Sequence, residues 1–563
     1  MSKMDIDEIL RSLKPWGRYQ ILLLLVVCVY GTMVPALHII AFIFIVDTPT
    51  HFCKPYEGFS KSEAIPISKE HSDTIVEYES CLIYEIDNGT LTNETIGCPN
   101  GNEYMLTVGE STVVNEFDLV CDKKLMANTV VSVYFCGVLV GSIVSGLTSD
   151  YFGRRNVFLA ATFLIGITGI ALTFTTSFYS FAAVWFFTAI IEQCINVPSF
   201  VLLMEMFPPE KRTAAGCLSN VSWGVAIAFL PLYAYLLRDW RHMQIAISAP
   251  CLTAVFLWWF VYESPRWMIS KGRLTDANNV FRKIAKFNKL DESNVYIDAI
   301  PKDFNIKTNL EREESNESMS LQKRNDVTGS AKSDVAKERT YTMIDVFRRP
   351  RMLRNTLITY CIFMINSLVY YGMALNSSNL YGDKYLNMFL VCLVDLPGGI
   401  ITVYLLPRYN RRLLLSVFLI AASLFSFISG FTPLTSSDGT NLFPIILTSA
   451  CLGKCAIVAA FGTGWLYGNE IFPTELRNTG FGTCSFAARI GSIIAPFFLT
   501  LNSHYDGGVE ILFGVLAAMA CLAVYILPET RNRPLPETME EGENLHAGKI
   551  KATNGEMYTQ SKL

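Results

Sequence analysis

The chain has 563 residues, of which 51% are hydrophobic and only 17% are charged. Soluble domains average about 25% charged residues, and the deficit here lies in apolar runs that reach the ~20 residues needed to cross a bilayer. The formal net charge of -4 gives no basis for a nucleic-acid partner, and the fifteen cysteines follow no metal-ligand spacing, so we expect neither nucleic-acid binding nor a metal site.

Apolar runs predict an all-α membrane protein with two sets of six spans. The first run is too long to be a cleaved signal peptide, so we interpret it as a true span. In the N-terminal half the spans are expected near residues 21–46, 126–148, 156–175, 178–204, 214–237 and 242–262. In the C-terminal half they are expected near 353–375, 384–407, 413–431, 442–468, 479–502 and 507–527.

Lysine and arginine are concentrated in every second connection between successive spans. Because positively charged connections stay in the cytoplasm, we expect these connections and both termini to be cytoplasmic. On this basis the chain divides into five parts. They are a cytoplasmic N-terminus at 1–20, an N-terminal six-helix half at 21–262 that includes an extracellular loop at 47–125, a cytoplasmic linker at 263–350 that is disordered over 308–340, a C-terminal six-helix half at 351–527, and a cytoplasmic tail at 528–563.

The segment 47–125 is expected to be a folded extracellular loop. It contains an even set of cysteines, which in an oxidising compartment predicts two disulfides, although the sequence does not reveal their pairing. Two sequons in the loop predict N-glycosylation at Asn88 and Asn93, whereas a third, at Asn316, lies in the cytoplasmic linker and should be unmodified. The four cysteines are Cys53, Cys81, Cys98 and Cys121.

A nine-residue element occurs once in each half. Residues 205–213 read Glu-Met-Phe-Pro-Pro-Glu-Lys-Arg-Thr, and residues 470–478 read Glu-Ile-Phe-Pro-Thr-Glu-Leu-Arg-Asn. A pattern of apolar spans separated by short charged segments, present once in each half, is typical of membrane transporters built from two repeats. We assign its charges, with others at the cytoplasmic helix ends, to an inner gate whose pairs form in the outward-facing state and break in the inward-facing one. The alternative for the arginines alone is that they only set the topology. The candidates are Asp150, Arg154, Glu205 with Arg212, Arg266, Arg411, and Glu470 with Arg477.

The loop at 146–155, which reads Gly-Leu-Thr-Ser-Asp-Tyr-Phe-Gly-Arg-Arg, resembles the signature of the major facilitator superfamily. The segments 111–121, 263–273 and 473–478 resemble the organic cation, anion and carnitine transporter family. Other sequence segments are most similar to the carnitine branch of that family. Sugar porters share the Glu-Ser-Pro-Arg element at 263–266 but lack a long cysteine-bearing first loop, so they rank lower. The resemblance implies the twelve-helix major facilitator fold with a central cavity between the halves.

Two charged residues lie inside spans of the C-terminal half, where an unpaired charge is costly. Asp395 is followed by Pro397 and two glycines that loosen the helix, and the resemblance implies an acid here that contacts cationic substrates. The alternative is a structural acid satisfied by a neighbouring helix. Arg489 resembles an arginine of the anion and carnitine branches and would receive a carboxylate, or else would pair with Asp395. The organic anion transporters that this span resembles carry a lysine at the position of Gly399. Without that lysine the cavity has one fixed cation and one fixed acid, which favours a zwitterionic substrate over a dianion.

Other polar and aromatic residues complete the expected site. Glu192, inside the fourth span, is a candidate to bind a coupling Na⁺ or proton or to help hold a cationic group. Tyr370, Tyr371 and Asn376 belong to a segment that resembles the cavity-lining seventh span of the family, and Trp223 is a further aromatic candidate. Adjacent helix residues point about 100° apart, so one of the two tyrosines should face the cavity, where its ring can hold a quaternary ammonium. Ordinary packing is the alternative for each aromatic residue.

We therefore expect a plasma-membrane carrier of a small organic cation or zwitterion, carnitine-like or betaine-like, that works by alternating access. The alternatives are an organic anion exchanger centred on Arg489 and a non-transporting receptor or scaffold. The sequence contains no nucleophile–base set, phosphate loop or metal cluster, so we expect no enzyme activity and no cofactor, with a coupling Na⁺ or H⁺ left open.

The final Ser561, Lys562 and Leu563 fit a ligand for a PDZ-type domain, with a peroxisomal address or chance as alternatives.

Overall fold

The computed structural model describes residues 6–70, 76–87, 90–291, 343–346, 348–377, 380, 382–436, 439–473, 476–499, 501, 507–531, 536 and 539–543. Its helices correspond to the twelve predicted spans, which we number in chain order. In the N-terminal half, span 1 is Arg18–Ile45, span 2 is Lys124–Phe152, span 3 is Arg154–Leu172, span 4 is Phe178–Met206, span 5 is Pro209–Leu237 and span 6 covers 240–257.

The C-terminal half repeats this arrangement of six spans. Span 7 is Pro350–Asn376, span 8 is Lys384–Leu393 followed by Asp395–Leu405, span 9 is Arg411–Phe431, span 10 is Phe443–Ile471, span 11 is Arg477–Phe498 and span 12 is Gly508–Val524. The predicted all-α membrane fold with two six-helix repeats is confirmed.

Besides the break in span 8, spans 6 and 12 and a stretch of span 1 depart from long regular α-helix. In the described part of the chain, ten helices are long and apolar enough to cross a membrane. Span 12 is shorter, and span 6 consists of Trp240–Ser248, a 3-10 stretch at Ala249–Thr253 and a final turn at Ala254–Leu257. Span 6 therefore ends at Leu257, before the predicted end at 262. Span 1 contains a π-helical stretch at Val27–Met33.

Short elements surround the bundle. Strands β1 (His51–Cys53), β2 (Ile67–Glu70), β3 (Val76–Tyr78), β4 (Ile83–Asp87), β5 (Thr90–Ile96) and β6 (Asn102–Tyr104) form three antiparallel pairs, β1 with β6, β2 with β3 and β4 with β5. The remaining short helices are Ile6–Ser12, Lys61–Ala64, Val113–Glu116, Cys121–Lys123, Pro265–Ser270, Leu274–Phe287, Met343–Val346 and Met539–Glu543.

The long first loop is held by two disulfides, Cys53–Cys98 and Cys81–Cys121, which supply the pairing that the sequence left open. His51 lies near the second pair, but sulfurs joined in a disulfide are not thiolate metal ligands. Asn93 is exposed on β5, where a glycan has room. Asn88, the expected disordered stretch at 308–340, and the terminal Ser561, Lys562 and Leu563 lie outside the described residues.

The two halves meet along two pairs of spans, span 2 against span 11 and span 5 against span 8. The Ser132 hydroxyl of span 2 donates to the Ile493 carbonyl of span 11 at 2.7 Å. Within the C-terminal half, span 11 lies so close to span 7 that a Cβ on Gly491 would collide with the Met364 carbonyl. Small residues allow this close approach because no large side chain separates the helices. The space left between the halves forms a cavity.

Candidate substrate-binding site

A cavity of about 960 Å³ lies between the two halves, lined by residues of spans 1, 4, 5, 7, 8, 10 and 11. Pockets for small organic ligands usually measure about 300–1,000 Å³, so the volume suits one such molecule. The cavity extends to Pro407 and Arg408, just beyond span 8. We call this end of the bundle, which also carries Arg154, the inner end, and the opposite end, which carries Lys384, the outer end. The cavity therefore opens at the inner end.

Asp395 faces the cavity from the break in span 8. The helix is interrupted at Val394, and Asp395 begins the second segment. Pro397 has no N–H to donate to the carbonyl of Leu393 four residues earlier, which weakens the helix at this point. The predicted loosening of the helix around Asp395 is thus present.

The Asp395 carboxylate has two partners from neighbouring spans. The Tyr370 hydroxyl of span 7 donates to Asp395 Oδ2 at 2.7 Å, and the Lys454 ammonium of span 10 lies 3.6 Å from Asp395 Oδ1. Lys454 is completely buried and was not among the residues expected at the site. The expected alternative, an ion pair between Asp395 and Arg489, does not form, because Lys454 supplies the positive charge.

Arg489 lines the cavity from span 11 and belongs to a second charged group. Its guanidinium is within electrostatic range of the Tyr371 hydroxyl and the Glu192 carboxylate. Glu192 is completely buried and accepts hydrogen bonds from Tyr134 at 2.7 Å and from Gln193 at 3.1 Å. Glu192 is not among the residues that line the cavity, so it has no direct access to a ligand in this state.

Aromatic rings form much of the cavity wall. Both Tyr370 and Tyr371 line it, where one of the pair was expected to, and Trp223 lines it from span 5. Phe461 and Trp465 of span 10 add two rings that the sequence did not single out. Rings of this kind can hold an alkylammonium group by cation–π attraction, worth about 1–2 kcal/mol when desolvated.

Known proteins resemble this chain along nearly its whole length. The sugar (and other) transporter family matches residues 84–541. An organic cation transporter protein from Drosophila melanogaster is 30% identical, with 96% of this chain and 95% of the relative covered. The organic cation/carnitine transporter 2 from Homo sapiens is 28% identical over 95% of this chain and 94% of its own. A beta-alanine transporter from Drosophila melanogaster is 29% identical over 96% of this chain and 89% of its own.

The chain belongs to the sugar (and other) transporter family. Its fold resembles a partially occluded inward open conformation of the xylose transporter XylE from E. coli, with a TM-score of 0.58 and 16% identity over 92% of this chain and 100% of that one. The predicted major facilitator fold is confirmed. The protein is thus a multi-pass membrane carrier, and its family and relatives are transporters, not enzymes.

At the outer end, this transporter is closed by contacts between its halves. The Lys384 ammonium, at the start of span 8, lies 2.8 Å from Asp47 Oδ2 at the end of span 1, and it also pairs with Glu110 of the long loop. The ring of Tyr385 stacks on Phe44 of span 1, with centroids 5.8 Å apart. The outer end is therefore shut while the inner end is open.

At the inner end, the charged residues of the N-terminal half pair within that half. Arg154 lies 2.9 Å from Asp150 Oδ1 and 3.5 Å from Glu205 Oε2. Arg212 lies 3.5 Å from Asp7 Oδ1, and Arg266 pairs with the same carboxylate. The expected pairing of Glu205 with Arg212 therefore does not form, because Arg212 donates to the carbonyls at the end of span 4 and to Asp7.

The C-terminal half has the equivalent arrangement. Glu470 lies 3.3 Å from Arg411 Nε, and Thr530 donates to its Oε2 at 2.5 Å, while Arg477 donates from Nε to the Asn469 carbonyl at 3.1 Å. Among the described residues, Glu470 and Arg477 do not pair. The pairs of both halves are intact although the cavity is open at this end, so the expectation that opening breaks them does not hold for these pairs.

Two glutamates occupy equivalent capping positions in the two halves. Glu263, after span 6, accepts the backbone N–H of Arg155 at 3.0 Å, and Glu529, after span 12, accepts that of Arg411 at 3.1 Å. A carboxylate at a helix N-terminus satisfies free N–H groups and interacts well with the helix dipole. These contacts join the starts of spans 3 and 9 to the segments that follow spans 6 and 12 of their own halves.

Asn376 was expected in the substrate site, but it lies elsewhere. It follows Tyr370 by six residues on span 7, which displaces it about 9 Å along the helix axis towards the outer end. There its Nδ2 donates to Glu510 Oε1 at 2.5 Å, and both residues line a separate small cavity. The assignment of Asn376 to the central cavity is therefore wrong.

Proposed function

We propose that this carrier transports a small organic zwitterion, with the ammonium held by Asp395 and the tyrosines and the carboxylate held by Arg489. The supporting observation is that the cavity wall carries one acid and one base on different spans, Asp395, which pairs with Lys454, and Arg489, which lies in the field of the buried Glu192 carboxylate. A net-neutral molecule with separated charges adds no uncompensated charge to this low-dielectric region. Two of the relatives, an organic cation/carnitine transporter and a beta-alanine transporter, are named for zwitterions, which agrees with this class.

The aromatic wall supports an alkylated ammonium in particular. Methyl groups on nitrogen spread the positive charge and remove N–H donors, so a ring face becomes a better partner than a second carboxylate. Tyr370 serves both needs, because its hydroxyl is committed to Asp395 while its ring lines the cavity. Simple organic cations would use the same half of the site but would bring no carboxylate to Arg489.

Uptake into proteoliposomes tests this proposal. Purified carrier is reconstituted and supplied with radiolabelled carnitine, beta-alanine, tetraethylammonium or para-aminohippurate, and Arg489→Asp is compared with the wild type. We expect zwitterion uptake that Arg489→Asp abolishes, while any tetraethylammonium uptake is spared. Uptake of para-aminohippurate alone would favour an organic anion exchanger centred on Arg489. Absence of flux for every compound would favour a receptor or scaffold.

We also propose that the inner end is cytoplasmic and that the carrier resides in the plasma membrane. The excess of arginine at the inner end supports this orientation, because positively charged connections stay in the cytoplasm. The disulfide-bonded loop at the other end suits an oxidising, extracellular side. Binding of the C-terminal Ser561, Lys562 and Leu563 to a PDZ-type domain stays a prediction, testable by pull-down with and without the last three residues.

A further inference from the structure

A second, much smaller cavity lies at the outer end of the C-terminal half, between spans 7, 8, 9, 10 and 12. It measures about 20 Å³ and is separate from the central cavity. Four polar residues line it, namely Asn376 of span 7, Ser426 and Ser429 of span 9, and Glu510 of span 12. The rest of the lining is apolar, including Met373 and Phe513. Polar side chains from three separate spans thus converge on one point.

Two oxygen atoms at this cavity are buried and have no hydrogen-bond partner among the described residues, Glu510 Oε2 and Ser426 Oγ. Ser426 is only 2% exposed. The other carboxylate oxygen, Glu510 Oε1, accepts a hydrogen bond from Asn376, which is neutral and leaves the negative charge in place. Within the described chain, no lysine or arginine pairs with Glu510. Glu510 is partly exposed as a residue, but a buried carboxylate oxygen without a balancing charge is still costly.

The chemistry of the cavity selects its occupant. Carboxylate and hydroxyl oxygens are hard ligands, which favour hard cations over soft transition metals. One carboxylate balances one positive charge, so a monovalent ion leaves the site neutral and a divalent ion does not. A volume of about 20 Å³ has room for one water-sized particle, which excludes an organic ammonium and a hydrated ion. Ser429 donates to the Ile446 carbonyl at 3.4 Å, so its lone pairs remain available.

We propose that Glu510, Ser426 and Ser429, together with Asn376, form a binding site for one sodium ion. The ion would join spans 7, 9 and 12 at the outer end. Span 7 also carries Tyr370 and Tyr371, so an ion at Asn376 fixes the helix from which both tyrosines reach the central cavity. This last link, from ion to substrate, rests on the proposed function, whereas the ion site does not.

Thermal unfolding of the purified carrier, without substrate, tests the site independently of transport. Unfolding is followed by tryptophan fluorescence in NaCl, KCl or N-methylglucamine chloride at equal ionic strength. Because a ligand that binds only the folded state raises Tm, we expect Na⁺ to raise it saturably by about 2 °C or more relative to the other cations. Glu510→Gln should abolish this Na⁺-specific rise. Equal Tm in all three salts overturns the proposal and means that the cavity holds a water molecule or that Glu510 is protonated.

A matched pair of serine variants keeps the test decisive if Glu510→Gln does not fold. Ser426→Ala removes a proposed ligand and should raise the half-saturating Na⁺ concentration about tenfold, the cost of about 1.4 kcal/mol of lost binding. Ser423→Ala, one turn away on span 9, removes a hydroxyl that donates to the Gly514 carbonyl at 2.8 Å and should leave that concentration unchanged. A half-saturating Na⁺ concentration that is the same in Ser426→Ala, Ser423→Ala and the wild type contradicts the site, whatever the transport assay shows.

Discussion

The Lys454 ammonium lies 3.6 Å from Asp395 Oδ1, and both side chains are buried in the C-terminal half. Each charge makes the other tolerable, because removing one partner of a buried pair leaves an uncompensated charge that costs about 3–5 kcal/mol. The Tyr370 hydroxyl also holds the carboxylate in place, at 2.7 Å. A substrate ammonium that reaches Asp395 therefore competes with Lys454 for a carboxylate that is already oriented.

We predict that Asp395→Asn and Lys454→Met each lower thermal stability, and that the double variant recovers most of it because no charge is left unpaired. Fluorescence-detected size-exclusion chromatography after heating measures this. Uptake of ammonium-bearing substrates should stay lost in the double variant, since Asp395 is absent. A double variant that transports at the wild-type rate would show that Asp395 has only a structural role.

The sequence identified Asp395 because an acid beside Pro397 in an apolar run is costly unless it has a function or a partner. The same rule applies to Lys454, which lies in the middle of a predicted span and could have been found by it. Its pairing with Asp395 could not, because the choice between Lys454 and Arg489 depends on how spans 8, 10 and 11 meet. Asn376 was misplaced for a related reason: a resemblance within one span does not reveal which cavity each turn faces.

Gly399 offers a test of charge selectivity. It lines the cavity one helical turn after Asp395, and a Cβ built on it meets no atom within 4 Å. In Gly399→Lys the new ammonium can reach Asp395 at i+4 and adds a positive charge to the cavity. We predict that zwitterion uptake falls about tenfold, equivalent to about 1.4 kcal/mol, and that dicarboxylates become inhibitors.

Gly399→Met is the matched control, because it adds a side chain of similar length without charge. Competition of a dicarboxylate against radiolabelled zwitterion uptake separates the two variants. Equal loss of uptake in both, with no new inhibition by dicarboxylates, would mean that bulk and not charge determines the result.

Lys384 joins the two halves at the outer end through Asp47 and Glu110. We predict that Lys384→Met weakens outer closure and shifts the carrier towards the state that is closed at the inner end. Cys217 lines the cavity, so its labelling by a membrane-impermeant maleimide added at the inner end should slow. Peptide mass spectrometry of inside-out vesicles measures the labelling rate. Lys124→Met, which removes an exposed lysine from the same end of the bundle, should label as the wild type does.

Asn93 is exposed on β5 of the disulfide-bonded loop. We predict that this asparagine carries a glycan in a eukaryotic host, so Asn93→Gln should increase electrophoretic mobility and remove part of the shift caused by peptide N-glycosidase. Asn316→Gln alters a sequon in the predicted cytoplasmic linker and should change nothing. A mobility change with Asn316→Gln in place of Asn93→Gln would reverse the proposed orientation.

Glu470 connects span 10 to Arg411 at the start of span 9 and to Thr530 beyond span 12, and it does not line the cavity. Because it binds no substrate, Glu470→Gln should change the rate of conversion between the two open states and leave substrate preference unaltered. Partly exposed ion pairs are worth up to about 1 kcal/mol, so we predict a change in maximal rate of up to about fivefold with KM nearly constant. Initial uptake rates over a range of substrate concentrations measure both quantities.

Glu210→Gln is the matched control, because it breaks an exposed pair with Arg11 at the same end and should alter neither the maximal rate nor KM. A changed order of preference among zwitterions and cations at an unchanged maximal rate would place Glu470 in the binding site, against the geometry of the cavity.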